Sequence, residues 1–210
     1  MLIGVTGKAR SGKDTFAAML ADALFGVTGR RFILAAFAQE LKLRVQKDFD
    51  LDYEQLWGED KEIPDQRYRK ALRAENDPEP FWTAREILQN YGQFYRTIDG
   101  NFWVHSLFRA LKEKELDHAI ITDVRHPNEA DPILDGGGYM LKVTSDRSDK
   151  PGIHGEMHIS ETAMDDYNRI DFTVVNDWGL QELSQAAQDV AKFILDTEKM
   201  KDNLEGPKNG

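Results

Sequence analysis

Residues 2–15 read LIGVTGKARSGKDT, an apolar run that passes at once into glycine and lysine. The β-branched stretch at 2–6 is typical of a buried strand. Residues 15–25 place apolar side chains three and four positions apart, which predicts an amphipathic helix. The chain therefore opens with a strand, a glycine-rich turn and a helix, the first unit of an α/β fold.

The turn between this strand and helix has the spacing G-x-x-x-x-G-K at residues 7–13. In this context, backbone N–H groups and the helix N-terminus surround nucleotide phosphates, and Lys13 bridges the β- and γ-phosphates. A turn without a ligand is the alternative, but the flanking elements occur in the required order. Arg10 is predicted to direct its guanidinium at a phosphate or a lid. The predicted ATP-binding residues are Gly7, Ser11, Gly12, Lys13, Asp14 and Thr15.

The position after the lysine departs from the motif, which normally has Ser or Thr there as a magnesium ligand. This chain has Asp14, followed by Thr15. Asp14 is predicted either to hold Mg²⁺, directly or through water, or to cap the helix. The expected cofactors are ATP and Mg²⁺.

Four further apolar runs predict strands, at residues 32–37, 118–124, 139–144 and 171–176. Because helices separate them, we expect a five-stranded parallel sheet covered on both faces, the three-layer α/β/α fold of P-loop NTPases. Residues 180–195 predict a terminal helix, and residues 199–210 a flexible polar tail.

Two segments are too long to be simple connections in such a fold. Residues 48–114 show no convincing strand and predict helices at 85–95 and 102–111, so we interpret them as a helical insertion. Residues 145–160 predict a lid loop in which Arg147 supplies charge. The prediction is thus a single kinase domain at 1–198, with its core at 1–47 and 115–198. Zinc at His154 and His158 is not favoured, because no cysteine or third histidine is near.

The third predicted strand ends in TDVRHPNE, residues 122–129. Ligands of open parallel sheets bind beyond the carboxyl ends of the strands, so Asp123 and Arg125 are predicted to face the glycine-rich turn. Asp123 would position Mg²⁺ or its water, and Arg125 would contact phosphate. In the alternative interpretation, Asp123 caps a turn and Arg125 pairs with Glu129.

The insertion combines arginines with aromatic residues, as a phosphorylated acceptor with a flat base requires. Most of these aromatic residues are typical of helix packing, and the basic cluster at 67–73 is also typical of a solvated face. Gln89 and Arg96, seven positions apart, share one helix face. The predicted substrate-binding residues are Arg69, Arg85, Gln89, Arg96 and Trp103.

Together the motifs GKARSGKDT, REILQNYGQFYRTIDGNFWV, ITDVRHPNEA and HISET followed by DFTVVND resemble the deoxynucleoside monophosphate kinases of tailed bacteriophages. The resemblance spans residues 3–190. It implies an adenylate-kinase-like core, a helical acceptor-binding lobe, a mobile lid and Mg·ATP-dependent conversion of dNMP to dNDP. It places Gln89 and Arg96 on the acceptor side and Asp123 and Arg125 near the transferring group. Asp14 falls where this family also has aspartate.

Charge and composition limit the partners. A net charge of −10 with a pI near 5.0 argues against a duplex-binding surface. No apolar run reaches the roughly 20 residues of a membrane span, and residues 1–10 lack a signal-peptide core. With no cysteine present, we expect a cytoplasmic protein, in the host cytoplasm if phage-encoded. We expect it to act on a small nucleotide, without nucleic acid or membrane, as a monomer or homodimer.

Two other functions fit the same motifs. One is a P-loop kinase of another phosphorylated metabolite, of the phosphomevalonate type. The other is an ATP-binding regulator without an acceptor, which the basic, aromatic insertion argues against.

Overall fold

The computed structural model describes residues 1–71, 78–146 and 163–205. The chain divides into two compact units. The first unit comprises Met1–Ala36 and Ala110–Gly210, and the second comprises Phe37–Arg109. Of the predicted lid at 145–160, only residues 145 and 146 are described. Arg147, His154 and His158 lie outside the described residues.

The strands, in chain order, are β1 (Leu2–Thr6), β2 (Ile33–Ala35), β3 (Pro64–Arg69), β4 (Phe81–Thr83), β5 (Ala119–Ile121), β6 (Tyr139–Thr144) and β7 (Phe172–Val175). The α-helices are α1 (Lys13–Thr28), α2 (Phe37–Phe49), α3 (Tyr53–Leu56), α4 (Ala84–Ile98), α5 (Phe102–Glu113), α6 (Pro127–Asp135) and α7 (Leu180–Glu205). A 3₁₀ turn at Asp60–Glu62 follows α3.

The first unit is built on a five-stranded sheet in the order β2-β5-β1-β6-β7. Every neighbouring pair in it is parallel, which confirms the predicted sheet. All five carboxyl ends therefore meet at one edge of the sheet, and the turn after β1 lies at that edge. We call it the carboxyl edge.

Helices cover both faces of this sheet. On one face, α1 and α7 bury Phe16, Leu20 and Ile194 against Ile3 and Leu141. Successive strand residues point to opposite faces, so Met140, which is also fully buried, lies on the other face, where α6 packs on β1 and β6. The result is a three-layer α/β fold, as predicted.

The second unit has its own core, formed by α2, α3 and α4. Its fully or nearly buried members include Val45, Leu51, Leu56, Ala84 and Ile87. Because the inner face of α2 packs on α4, α2 belongs to this unit, whereas the sequence analysis had assigned it to the core of the kinase domain.

The second unit also contains an antiparallel hairpin, β3–β4, although no strand was predicted between residues 48 and 114. Its first strand reads PDQRYR and is largely exposed, so it lacks the alternation of apolar residues that marks a strand in sequence. Pro64 pairs with Thr83 and Arg69 with Phe81. This prediction was wrong, because β3 is polar in sequence and its cross-strand partners lie more than ten residues away along the chain.

Other differences concern the ends of elements. Residue 37 begins α2 instead of ending β2. α6 was not predicted, although Pro127 stands at its first turn, a favoured position for proline. α7 continues through Glu205, so residues 199–205 are helical rather than part of a flexible tail. There, Lys201 donates to Glu198 at 2.9 Å and to the Tyr139 hydroxyl at 3.1 Å, which holds the last turns of α7 against β6.

Candidate functional site

The glycine-rich loop, residues 7–13, connects β1 to α1 at the carboxyl edge. Gly12 precedes the helix with φ 85°, a left-handed conformation that side chains disfavour. Arg10 also has a positive φ of 64°, and the Ser11 N–H donates to the Lys8 carbonyl at 3.2 Å. The chain thus reverses tightly within the loop before α1 begins.

The start of α1 leaves backbone donors available at the loop. The first bond that closes the helix runs from the Phe16 N–H to the Gly12 carbonyl at 2.9 Å. The N–H groups of Lys13, Asp14 and Thr15 therefore have no acceptor within the helix, and they lie at its positive dipole end. This arrangement suits an anion such as a phosphate.

Gly7 allows the loop to lie directly against the sheet. A Cβ atom at this position would be 2.5 Å from the Val143 carbonyl oxygen and 2.7 Å from the Ser11 hydroxyl oxygen. Any side chain would therefore push the loop away from β6. Ser11 is fully buried, and its hydroxyl has no hydrogen-bond partner among the described residues.

Lys13 and Asp14 form an ion pair in the first turn of α1. The Lys13 ammonium lies 2.8 Å from the nearer carboxylate oxygen of Asp14. The Lys13 side chain is largely buried, whereas the Asp14 side chain is largely exposed. Asp14 is not the capping residue of the helix, because Gly12 occupies that position. Of the two predicted roles for Asp14, the cap is thus wrong, and magnesium binding stays a prediction.

The segment after β5 is tied to its neighbours at the carboxyl edge. The Thr122 N–H donates to the Ala35 carbonyl at 2.9 Å, and the Val124 N–H donates to the Val5 carbonyl at 3.3 Å. Asp123 between them is half-buried, and Arg125 is exposed. Both residues therefore lie at the same edge of the sheet as the glycine-rich loop.

Glu129 fastens this segment through backbone atoms. Its carboxylate accepts from the N–H of Arg125 at 2.8 Å and from that of His126 at 3.2 Å, which caps α6. Arg125 is thus joined to Glu129 through its backbone N–H, and the side-chain pairing of the alternative interpretation stays a prediction.

A cleft of about 390 Å³ lies at the carboxyl edge within the first unit. The glycine-rich loop contributes Lys8 and Ala9 to its lining, and the segment after β5 contributes Arg125. Lys142 of β6 also lines it, with its ammonium 3.3 Å from the Met164 carbonyl. Three cationic residues therefore line one cleft beside the loop.

Sequence reasoning missed Lys8 and Lys142 in this cleft. The sequence did contain a signal for Lys142. A lysine is rare inside an apolar run such as YMLKVT, because buried lysines need a partner, so its presence there indicates a specific contact. The cleft is also lined by Asp146, Asp165 and Asp177, so its charge is mixed. Among Lys8, Arg125 and Lys142, only Arg125 was predicted.

The second unit carries the predicted acceptor residues. Arg69 is exposed at the end of β3, Gln89 is exposed on α4, and Arg96 is half-buried on the same helix. Arg85 forms an ion pair with Glu62. Arg69, Arg85 and Gln89 are thus exposed, whereas Arg96 is half-buried.

Trp103 does not fit the role predicted for it. Its side chain is buried, with 2% of the residue exposed, and its indole N–H donates to the Gly92 carbonyl at 3.1 Å. The ring also packs against Tyr91 and Tyr95. The prediction of substrate contact by Trp103 is therefore corrected: this residue joins α5 to α4.

Two described residues of the basic cluster at 67–73 form ion pairs, and residue 73 lies outside the described residues. Arg67 pairs with Asp65 at 2.7 Å, and Lys70, buried at 5% exposure, pairs with Glu86 at 2.7 Å. The hydrogen bonds from Arg67 hold the pKa of Asp65 well below its usual range, although burial opposes them. The solvated-face interpretation is wrong for Lys70, whose ammonium also lies 5.3 Å from the Trp82 ring centroid.

Within the described ranges, no three His, Cys, Asp or Glu side chains form a group that would hold a metal by themselves. Mg²⁺ typically takes one or two protein carboxylates and completes its shell with substrate phosphates and water. A single carboxylate beside the glycine-rich loop, such as Asp14, is compatible with that kind of site.

Among the described residues, no helix has the length and apolar character that crossing a membrane requires.

Comparison with protein families decides the assignment. The sequence model described as deoxynucleotide monophosphate kinase matches residues 31–187 of this chain. The chain belongs to this family. The match begins after the glycine-rich loop, so the loop and the family match are separate observations.

A curated relative agrees with the family. It is a protein of Acanthamoeba polyphaga mimivirus, provisionally named deoxynucleotide monophosphate kinase. It is 33% identical over 196 residues, covering 87% of this chain and 91% of the relative. Among solved structures, dephospho-CoA kinase from Campylobacter jejuni covers 92% of this chain and 96% of its own, with a TM-score of 0.45 and 12% identity.

Membership in the family makes this chain a nucleotide kinase, a phosphotransferase that acts on deoxynucleoside monophosphates. A kinase of this kind takes its phosphoryl group from ATP. The sequence-based predictions of the α/β fold, the kinase activity and the deoxynucleoside monophosphate kinase family are therefore confirmed, and a bacteriophage origin stays a prediction.

Proposed function

We propose that the glycine-rich loop binds the triphosphate of ATP and that the chain transfers the γ-phosphoryl group to a deoxynucleoside monophosphate, giving dNDP and ADP. The observation that carries the proposal is the αL turn at Gly12, followed by N–H groups at the start of α1 that have no acceptor within the helix, with Lys13 beside them. Donors of this kind hold phosphate oxygens without moving, which is what phosphoryl transfer requires.

Lys13 has the central role in this proposal. Its ammonium neutralises charge on the β- and γ-phosphates, and it does so from a largely buried position where that charge is weakly screened. Arg10, Asp123 and Arg125 are proposed to complete the environment of the transferring group. Their common location at the carboxyl edge supports this proposal, as does the place of Arg125 in the cleft lining.

Asp14 is proposed to hold Mg²⁺, directly or through water. When bound, the ion neutralises charge on the phosphate oxygens. The support is chemical: Asp14 offers an exposed carboxylate in the first turn of α1, where it forms an ion pair with Lys13.

The second unit is proposed to bind the acceptor. Arg69, Arg85, Gln89 and Arg96 supply cations and an amide for a phosphate and a base. Arg85 reaches this role only by leaving Glu62, and both side chains of that pair are about half exposed. Such a surface pair contributes little stability, so exchanging it for a phosphate is energetically feasible.

The reaction itself needs few protein groups. An ionised oxygen of the acceptor phosphate attacks the γ-phosphorus, and the bond from that phosphorus to the β–γ bridging oxygen breaks. ADP leaves with the electron pair of that bond. Because the attacking oxygen is already ionised, no general base is required, and positioning and charge neutralisation supply the catalysis.

The partner is proposed to be a small nucleotide rather than nucleic acid. The net charge of −10 supports this, because a duplex-binding surface needs an excess of cations. We propose that the chain works as a monomer or homodimer.

The proposal is tested by incubating the full chain with Mg·ATP and each dNMP or NMP, and separating the nucleotides. We expect ADP and dNDP to form in equal amounts, and ADP to be scarce without an acceptor. Release of ADP at the same rate with and without acceptors would point to an ATP-binding regulator. Transfer to phosphomevalonate but to no nucleotide would point to the other kinase class.

A further inference from the structure

Asn176 lies directly beyond β7, at the carboxyl edge. Its backbone N–H donates to the Thr144 carbonyl at 2.8 Å. This bond continues the parallel pairing in which Thr144 stands opposite Val175. The main chain of Asn176 is therefore held by the sheet, and its side chain starts from a fixed position.

The side chain of Asn176 reaches the glycine-rich loop. Its amide Nδ2 donates to the carbonyl oxygen of Ser11 at 2.9 Å, across 165 positions of sequence. The same amide lies close to Gly12, where an added Cβ would be only 2.3 Å from Nδ2. Gly12 is thus required both by its positive φ and by the approach of Asn176.

The Ser11 carbonyl needs such a donor. A loop that directs its N–H groups toward an anion must direct carbonyls away from it, and Ser11 is fully buried. A buried carbonyl without a partner is destabilising, because it loses its hydration and gains no hydrogen bond in return. The Asn176 amide meets this requirement from outside the loop.

The bond also orients a donor. The Ser11 carbonyl and the Gly12 N–H belong to one peptide group, and the described chain contains no cis peptide bond. In a trans peptide the two groups point in opposite directions. Holding the Ser11 carbonyl toward Asn176 therefore directs the Gly12 N–H away from Asn176.

We propose that Asn176 is a positioning residue for the donor nucleotide: through the Ser11–Gly12 peptide it keeps the glycine-rich loop in its phosphate-binding conformation before ATP binds. This inference rests on the proposed function of the loop. Asn176 acts through the loop backbone and touches no reacting atom. An amide suits this role, because a carboxylate would set a negative oxygen against the Ser11 carbonyl and add charge near the triphosphate.

The test measures ATP binding by calorimetry and steady-state kinetics on the full chain. For Asn176→Ala we expect a dissociation constant for ATP about tenfold higher, the effect of losing one hydrogen bond to a buried carbonyl. Asn176→Asp should weaken binding further. The KM for the dNMP should stay near the wild-type value, because the acceptor does not use this peptide.

Tyr139→Phe is the matched control. It removes a hydroxyl that bonds Glu198 at 2.7 Å and Lys201 at 3.1 Å, at the amino end of β6. We expect it to lower the melting temperature of the chain with no change in the dissociation constant for ATP. The control separates loss of stability from loss of loop geometry.

Asn176→Leu covers the case in which Asn176→Ala fails to fold, because leucine fills the same space without a donor. Wild-type ATP affinity in either folded variant would overturn the inference while leaving the proposed function intact. Failure of the wild-type chain to bind ATP would overturn both.

Discussion

The Lys13 ammonium lies 2.8 Å from Oδ2 and 3.0 Å from Oδ1 of Asp14, the next residue in the chain. The lysine side chain is 13% exposed and the carboxylate is 73% exposed. A triphosphate in the glycine-rich loop would compete with Asp14 for the ammonium. We therefore expect ATP binding to release the carboxylate, which then becomes available to Mg²⁺.

Replacing Lys13 by alanine should abolish transfer while the fold stays intact. Loss of a charge directed at the transferring phosphoryl group typically lowers kcat by about 10²-fold or more. The measurement is dNDP formation under saturating Mg·ATP, with circular dichroism as the check on folding. Lys192→Ala, on the exposed side of α7, is the control. Near-normal turnover of Lys13→Ala would remove the loop from the mechanism.

Replacing Asp14 by asparagine should raise the Mg²⁺ concentration that gives half-maximal rate. We expect a shift of about tenfold, since the neutral amide is a weaker ligand for a hard cation. A Mg²⁺ titration at fixed ATP measures it. Asp22→Asn, an exposed aspartate on the same helix, should leave the titration curve unchanged. Coincident curves for Asp14→Asn and wild type would assign Asp14 only to its ion pair.

Replacing Arg96 by alanine should mainly impair use of the acceptor. A guanidinium that binds phosphate contributes charge-assisted hydrogen bonds, so we expect the KM for the dNMP to rise about tenfold or more. The KM for ATP is measured in the same series and should change little. Arg109→Ala, exposed on α5, serves as the control. An unchanged KM and kcat for every dNMP would place Arg96 outside the acceptor site.

Replacing Trp103 by phenylalanine should affect stability more than catalysis. The substitution removes the hydrogen bond from the indole N–H to the Gly92 carbonyl, which lowers the free energy of unfolding by about 1 kcal/mol. Urea unfolding measures the change, and Trp178→Phe, at a residue 78% exposed, is the control. A raised KM for the dNMP at unchanged stability would restore Trp103 to the acceptor site.

Replacing Asp65 by asparagine should change the pH dependence of stability. The hydrogen bonds from Arg67 lower the pKa of Asp65 in the folded chain, so the folded chain binds fewer protons than the unfolded chain in acid. The stabilisation is thus complete above the unfolded pKa of about 3.9 and declines as the pH falls below it.

Unfolding free energies of wild type and Asp65→Asn, measured from neutral pH into acid, test this. Their difference should be constant above about pH 5 and shrink below about pH 4. Asp50→Asn is the control, since its carboxylate is fully exposed and lies 3.7 Å from Arg67. A difference that stays the same through the acid range would show that the Asp65 charge is not the stabilising element.

The central strands and the glycine-rich loop were predictable because local sequence dictates them. β1 and β6 begin and end where their apolar runs do, since both faces of a central parallel strand are buried. The loop likewise depends on residues 7–13 and their immediate flanks. The polar β3 strand carried no such signal, and it forms because residues far along the chain pair with it.

Local sequence was enough to predict the phosphate-loop motif, the parallel α/β sheet and the other motifs of the family. The packing of Trp103, the pairing of Lys70 with Glu86 and the bond from Asn176 to Ser11 became visible in the folded chain. The spacing of apolar residues over a short stretch of sequence indicates whether that stretch is a helix or a strand and which of its residues are buried. A hydrogen bond across 165 positions depends on how the strands are ordered in the sheet, and no local window records that order.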